Sequence, residues 1–89
     1  MRKLLFFHVT WCAPCRFCLK HIIEPLMLCY KNQIDIINVQ NDFIKAEKMK
    51  VDKIPTFIIL EQEEEIWRHV GNPDIELVRN LLKGGNIND

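Results

Sequence analysis

The chain contains Trp11-Cys12-Ala13-Pro14-Cys15, in which two cysteines are separated by two residues. Residues 4–9 before this segment are mostly apolar and favour a strand, whereas residues 14–30 favour a helix. The pair therefore lies where a strand passes into a helix N-terminus. The partial positive charge of that helix end stabilises a thiolate, the form of cysteine that attacks disulfides. This placement indicates redox chemistry and not a structural cross-link.

Composition predicts a small globular domain. The chain has 89 residues, of which 48% are hydrophobic and 27% charged, so one core and one domain are expected. Twelve basic and twelve acidic residues give a formal net charge of zero, which argues against nucleic acid or an anionic membrane as a partner. We expect a monomer with a single domain over residues 1–83 and a frayed tail over residues 84–89, after the Gly84-Gly85 stop.

The cysteine content has to be interpreted together with the cellular compartment. Four cysteines in so short a chain would suggest a disulfide framework if the protein were secreted. However, His8 interrupts the apolar run near the N-terminus, and a signal peptide needs roughly 7–15 apolar residues. No stretch approaches the ~18 apolar residues of a membrane-spanning helix. We therefore expect a cytoplasmic protein, in which stable structural disulfides are rare.

Hydrophobic periodicity predicts the element order β-α-β-α-β-β-α. The predicted strands cover residues 3–9, 34–39, 56–60 and 66–70, and the predicted helices cover residues 14–30, about 42–49, and 72 to about 83. Pro25 is expected to kink the first helix, and Asn72 is expected to cap the last one. The first two strands should be parallel and the last two should form an antiparallel hairpin. The predicted fold class is α/β, with a four-stranded mixed sheet flanked by helices on both faces.

Three segments that are far apart in the sequence resemble the thioredoxin superfamily. Trp11–Cys15 is similar to the family's Trp-Cys-Gly-Pro-Cys, with Ala13 in place of glycine. Lys53-Ile54-Pro55-Thr56 is similar to the segment that places a cis proline opposite the cysteines, and Val70-Gly71 to the loop beside the substrate groove. The predicted element order equals the minimal core of the thioredoxin fold. An additional N-terminal strand and helix are not expected, so the size is nearer to that of a glutaredoxin.

This resemblance implies a thiol–disulfide oxidoreductase that reduces protein disulfides and takes part in electron transport and cell redox homeostasis. Cys12 would be the nucleophile and Cys15 would resolve the mixed disulfide, while Ala13 and Pro14 would tune the pair. The residues implied to contact the client protein are Trp11, Ile54, Pro55, Val70 and Gly71. No bound cofactor is implied, because a flavoprotein thioredoxin reductase would restore the dithiol with electrons from NADPH.

Two positions depart from the family pattern. Phe6 stands six residues before the first cysteine, where thioredoxins usually carry a buried Asp that assists proton transfer at the second cysteine. Asn38 stands at about the position of the lysine that often accompanies this Asp. His8 could replace the missing base, or it could simply pack near the end of the strand. The sequence leaves these two alternatives open.

Two other functions remain open at this point. A glutaredoxin-like, glutathione-dependent activity is suggested by the short length and by the segment from Val70 to Asp74, although a second glycine is missing there. A metal-binding module is suggested by the spacing of Cys12, Cys15, Cys18 and His21. Core packing is the favoured interpretation of Cys18 and Cys29, and an auxiliary redox or regulatory role of these thiols is the alternative. His21 and His69 are expected at the surface or at its boundary.

Overall fold

Local sequence chemistry explains most element boundaries in the computed structural model, which describes residues 1–86. The elements are β1 (Arg2–His8), α1 (Ala13–Cys18), a π-helical segment (Leu19–Ile23), α2 (Glu24–Tyr30), a 3-10 turn (Lys31–Gln33), β2 (Ile34–Asn38), α3 (Phe43–Lys48), β3 (Thr56–Glu61), β4 (Glu64–Val70) and α4 (Ile75–Leu82). The predicted element order is confirmed.

The four strands form one mixed sheet in the order β2-β1-β3-β4. β1 pairs with β2 in parallel, from Leu4 opposite Ile34 to His8 opposite Asn38. β1 pairs with β3 antiparallel, and β3 pairs with β4 antiparallel. The predicted mixed topology is confirmed. β1 is an inner strand, so the residues that follow it lie near the middle of the sheet, at the end of the sheet where β1 finishes.

Each face of the sheet carries its own hydrophobic core, because successive side chains of a strand point to opposite faces. On one face, Leu4 and Phe6 pack with residues of α1, α2 and α4. On the other face, Leu5 and Phe7 pack with Ala46 of α3. β1 is therefore buried on both sides, which explains its nearly continuous apolar sequence.

Pro25 explains the form of the long helical region. A proline inside a helix lacks its N–H and clashes with the carbonyl four residues earlier. The chain accommodates this with the π-helical segment before Pro25, in which the Glu24 N–H donates to the carbonyl of Leu19, five residues back. The sequence predicted one helix with a kink. The structure instead widens one turn between α1 and α2.

The acidic segment at residues 61–65 forms a tight hairpin turn, as predicted. Glu61 pairs with Glu64 across the hairpin, and the two residues between them, Gln62 and Glu63, have positive φ values of 51° and 70°. Positive φ at both central positions is the backbone form that matches the twist of a two-residue hairpin. The glutamates at this turn are exposed, as expected for a solvated hairpin end.

The N-cap of α4 differs from the prediction. The helix begins at Ile75, and Asp74 is its N-cap, since the carboxylate of Asp74 accepts the N–H of Glu76 at 2.9 Å. The prediction that Asn72 would cap this helix was wrong. Pro73 is buried before the cap and does not occupy the first helical position. Both Asn72 and Asp74 are good capping residues, so composition alone did not choose between them.

The described C-terminal residues are hydrogen-bonded to the Arg2 side chain of β1. Gly84, with a positive φ of 105°, and Gly85 close the end of α4, and their N–H groups donate to the carbonyls of Leu81 and Asn80. The Arg2 guanidinium donates to the carbonyls of Leu81 and Gly85. The predicted frayed tail includes residues 87–89, which lie outside the described part of the chain. The domain boundary at residue 83 therefore stays a prediction. Within residues 1–86, no helix combines the length and apolar character needed to cross a bilayer.

Candidate active site

The cysteine pair lies at the junction between β1 and α1, and it is closed as a disulfide with a Cα–Cα distance of 5.2 Å. Cys12 is the N-cap of α1, and its Sγ accepts the backbone N–H of Cys15 at 3.2 Å. Cys12 is 9% exposed and Cys15 is 1% exposed, so Cys12 is the more accessible of the two sulfurs. In the dithiol form, the same N–H and the helix end stabilise negative charge on the Cys12 sulfur.

The pair lies in a small apolar cluster that also connects it to Ile54. Val9, at the end of β1, is buried with the two cysteines, and Val39 and Ile54 pack against them. The Ile54–Pro55 peptide bond is cis, which confirms the prediction from the sequence. The Gly71 N–H donates to the Pro55 carbonyl at 2.8 Å. Three segments that are distant in the sequence therefore meet at the cysteines.

Exposed apolar side chains flank this cluster. Trp11, directly before Cys12, is 69% exposed, and Val70, directly before Gly71, is 48% exposed. Ile54 is half-buried, and neither its N–H nor its C=O forms a hydrogen bond within residues 1–86. Such a surface combines apolar contacts with free backbone groups, and an extended polypeptide can bind to both.

No carboxylate is buried near the pair, because Thr56 is the only buried polar or charged residue among residues 1–86. Phe6 packs against the ring of Phe57, with a centroid distance of 4.9 Å. The ring of His8 stacks on Phe6 at 5.3 Å, nearly parallel. Within the described chain, the His8 imidazole has no hydrogen-bond partner. His8 therefore packs near the strand end, and no contact supports a role as the substitute base.

The other two cysteines differ from one another. Cys18 is fully buried in the core, as predicted, and its Sγ lies 3.9 Å from Oδ1 of Asn72. Burial raises the pKa of the Cys18 thiol. Cys29 is exposed on α2, so the prediction that it would pack in the core was wrong. The widened turn displaces the later residues around the helix axis, and Tyr30 packs against the core instead.

The predicted positions of the remaining histidines are confirmed, since His21 is exposed and His69 is half-buried. Within residues 1–86, no three side chains of His, Cys, Asp or Glu are grouped so that they could hold a metal ion. The carboxylate of Asp74, part of the segment that suggested glutathione binding, caps α4. The geometry thus offers no particular support for either alternative function.

Alkylation distinguishes the two unpaired thiols. In the oxidised native protein we expect iodoacetamide to modify Cys29 and to modify Cys18 more than about 100-fold more slowly. Cys18 is fully buried, so the reagent reaches it only after local unfolding. Its raised pKa also keeps the thiol protonated and therefore unreactive. Mass spectrometry of peptides measures both rates. The control is the same reaction in denaturant without reductant, where both thiols should react. Equal rates in the native protein would contradict the assigned burial.

Several contacts at the site have no counterpart in a sequence motif. Thr10 and Gln40 lie within hydrogen-bonding distance through Oγ1 and Oε1, at 3.4 Å. The Arg16 guanidinium donates to the Thr10 carbonyl at 3.0 Å. Val39 packs against the cysteine cluster from the end of β2. Gln40 and Val39 reach the site only through the parallel pairing of β1 and β2, and single-sequence patterns do not specify such contacts.

Two cysteines separated by two residues, with the first at the N-cap of a helix and both in contact with an apolar cluster that includes Ile54, form the arrangement of a dithiol–disulfide oxidoreductase. The family model for thioredoxin matches residues 2–83. A thioredoxin of Chlamydia pneumoniae is 36% identical over 80 residues, which cover 89% of this chain and 78% of that protein. Thioredoxin H3 of Arabidopsis thaliana is 34% identical over 82 residues, which cover 86% of this chain and 65% of that protein.

Comparison with solved structures gives the same result. Thioredoxin 1 of Thermosipho africanus superposes with a TM-score of 0.76 at 28% identity, covering 91% of this chain and 90% of that one. A thioredoxin of Fasciola hepatica superposes with a TM-score of 0.80 at 22% identity, and this likeness shows the fold alone. The chain belongs to the thioredoxin family.

Proposed function

We propose that the protein reduces disulfides in client proteins, with Cys12 as the attacking thiolate and Cys15 as the resolving thiol. The asymmetry of the pair supports these roles. Cys12 is the more exposed sulfur, and it accepts an N–H at a helix N-terminus, which favours its thiolate. Cys15 is almost fully buried one turn further along, within reach of Cys12 but not of a large client.

The proposed reaction has two exchange steps. In the first, the Cys12 thiolate attacks a client sulfur, so that a Cys12–client disulfide forms, the client disulfide breaks, and the released client thiolate takes up a proton. In the second, Cys15 gives up its proton to solvent and attacks the Cys12 sulfur. The Cys12–Cys15 disulfide forms, and the second client sulfur leaves as a thiolate that takes up a proton from solvent. In total the protein gives two electrons to the client, and the two client thiols obtain their protons from solvent.

Residues around the pair would hold the client during these steps. The side chains of Trp11 and Val70 would contact its apolar groups, since both are exposed. The free N–H and C=O of Ile54 would bind the extended backbone of the client. The hydrogen bond from the Gly71 N–H to the Pro55 carbonyl would hold these two segments in position beside the client. Pro14 would restrict the backbone between the cysteines, and Ala13 and Pro14 together would tune the redox properties of the pair.

The dithiol must then be restored. We propose that a flavoprotein thioredoxin reductase does this with the two electrons of NADPH, and that the cycle runs in the cytoplasm, where thiols are kept reduced. In this role the protein carries electrons between the reductase and its clients and contributes to cell redox homeostasis. No cofactor bound to this chain takes part.

Reduction of insulin disulfides tests this function. We expect steady consumption of NADPH when the protein is supplied with thioredoxin reductase, and a much slower rate when glutathione and glutathione reductase replace that enzyme. The reason is that the exposed side chains of Trp11 and Val70 offer a contact surface for another protein. The carboxylate of Asp74, in the segment that suggested glutathione binding, instead caps α4. Turnover with glutathione alone would contradict the proposed electron donor. Failure in both assays would contradict the proposed function.

A further inference from the structure

Charge is unevenly distributed along the sheet, although the formal net charge is zero. Residues 1–23 contain cations and no Asp or Glu, whereas four glutamates occur within residues 61–65. Arg2 is opposite Glu61 in the β1–β3 pair, so this acidic hairpin lies at the N-terminal end of β1, while the cysteines follow its C-terminal end. At about 3.3 Å per residue, the length of β1 separates the two ends by roughly 20 Å.

Two cations follow Cys12 on α1 and on the segment that continues it. Arg16 is held beside the loop that precedes Cys12, because its guanidinium donates to the Thr10 carbonyl at 3.0 Å. Lys20 follows four residues later, so the two cations lie on neighbouring parts of the helix surface. Both side chains are exposed, and neither forms an ion pair with a carboxylate of residues 1–86.

Two aromatic rings lie on the same surface. Phe17 is 50% exposed, and its ring contacts that of His21 with a centroid distance of 4.4 Å. We name the four residues of this surface, Arg16, Phe17, Lys20 and His21, the helix patch. It provides positive charge together with an apolar contact area, and it begins at Arg16, one helical turn after Cys12.

Two of the acidic side chains at this end of the sheet already accept backbone N–H groups. Oδ1 of Asp42 accepts the N–H of Lys45, and that of Asp74 accepts the N–H of Glu76, so both charges lie against helix N-termini. These partners reduce the negative potential that would otherwise offset the helix patch.

From this distribution we infer that the preferred clients carry acidic residues beside the disulfide that is reduced, and that the helix patch selects them. The inference rests on the proposed function of Cys12. Complementary charge raises the rate of association more than the strength of binding, and added salt weakens the effect. The acidic hairpin at the opposite end would repel the same clients and so favour their approach with the disulfide toward Cys12.

Three disulfide-bridged peptides test the inference. They differ only in the residues flanking the disulfide, which are Glu, Gln or Lys, and each is mixed with the reduced protein before rapid acid quenching. We expect the Glu peptide to react about tenfold faster than the Lys peptide at about 0.01 M ionic strength, and the ratio to approach one at about 1 M. Equal rates for all three at low salt would overturn the inference and leave the proposed function standing. No reaction with any peptide would overturn both.

A pair of double variants assigns the effect to the helix patch. Arg16→Gln with Lys20→Gln should reduce the Glu-to-Lys rate ratio to about twofold or less. The control, Lys31→Gln with Lys83→Gln, removes the same amount of charge and should leave most of the rate ratio intact. Both lysines lie near the N-terminal end of β1, because the nearby Gln33 side chain donates to the carbonyls of Arg2 and Leu82. Since every peptide reacts with the same Cys12, the ratio is insensitive to a change in the thiol itself. Equal loss in both double variants would contradict the role of the helix patch.

Discussion

Replacing Cys12 by serine is expected to lower kcat/KM for insulin reduction by about 1000-fold or more, which is the scale of losing an enzyme's nucleophile. A serine hydroxyl neither ionises at neutral pH nor forms a disulfide, so the first exchange step cannot occur. The reductase-coupled assay measures the change. Cys29→Ser is the matched control, since the same atom is exchanged at an exposed thiol on α2, and its activity should equal that of the wild type.

The corresponding change at the second cysteine should have a different result. In Cys15→Ser, the first exchange can take place but the second cannot, so we expect client proteins to remain attached to Cys12. If the Cys12→Ser protein kept its turnover, or if the trapped clients were attached to Cys29, the roles assigned to the pair would be wrong.

Replacing Phe57 by alanine is expected to lower the free energy of unfolding by about 3–5 kcal/mol. Phe57 lies in the middle strand pair, is fully buried, and contacts the ring of Phe6 at a centroid distance of 4.9 Å. Small domains are stable by only about 5–15 kcal/mol, so this one cavity would remove a large share of the total. Urea unfolding of the oxidised protein measures the loss.

Phe43 provides the control for the same substitution. It lies at the start of α3 and is 64% exposed, so Phe43→Ala should change the free energy of unfolding by no more than about 0.5 kcal/mol. Similar losses in the two variants would contradict the assignment of Phe57 to the core between the sheet and its helices.

Features that depend on short stretches of sequence were predictable. The apolar run before Cys12 predicted β1, and Pro14 and Cys15 marked the start of the helix that follows. In these two cases the local chemistry and the tertiary contacts favour the same conformation, so the sequence pattern was sufficient. The cis bond before Pro55 was expected from the resemblance of Lys53–Thr56 to the thioredoxin segment, and the structure contains it.

Features for which the sequence allows two local structures of similar stability, or which depend on long-range pairing, were not predictable. Asp74 and not Asn72 caps α4, because the position of the helix is set by packing of Val78 and Leu81 against the sheet. The exposure of Cys29 follows from one widened turn before Pro25, which shifts the later residues relative to a regular helix. The contacts of Val39 and Gln40 with the site require the β1–β2 pairing, which spans about thirty residues of sequence.

Mass spectrometry after a single turnover tests most directly whether the Cys12–Cys15 dithiol is oxidised to a disulfide while a client disulfide is reduced. Reduced protein is mixed with one equivalent of a disulfide peptide, quenched in acid and cleaved after Lys and Arg, which places both cysteines in one fragment, residues 4–16. We predict that this fragment loses two hydrogen atoms for each peptide reduced, while Cys18 and Cys29 remain thiols. A peptide reduced without this loss, or with a disulfide that includes Cys18 or Cys29, would contradict the account.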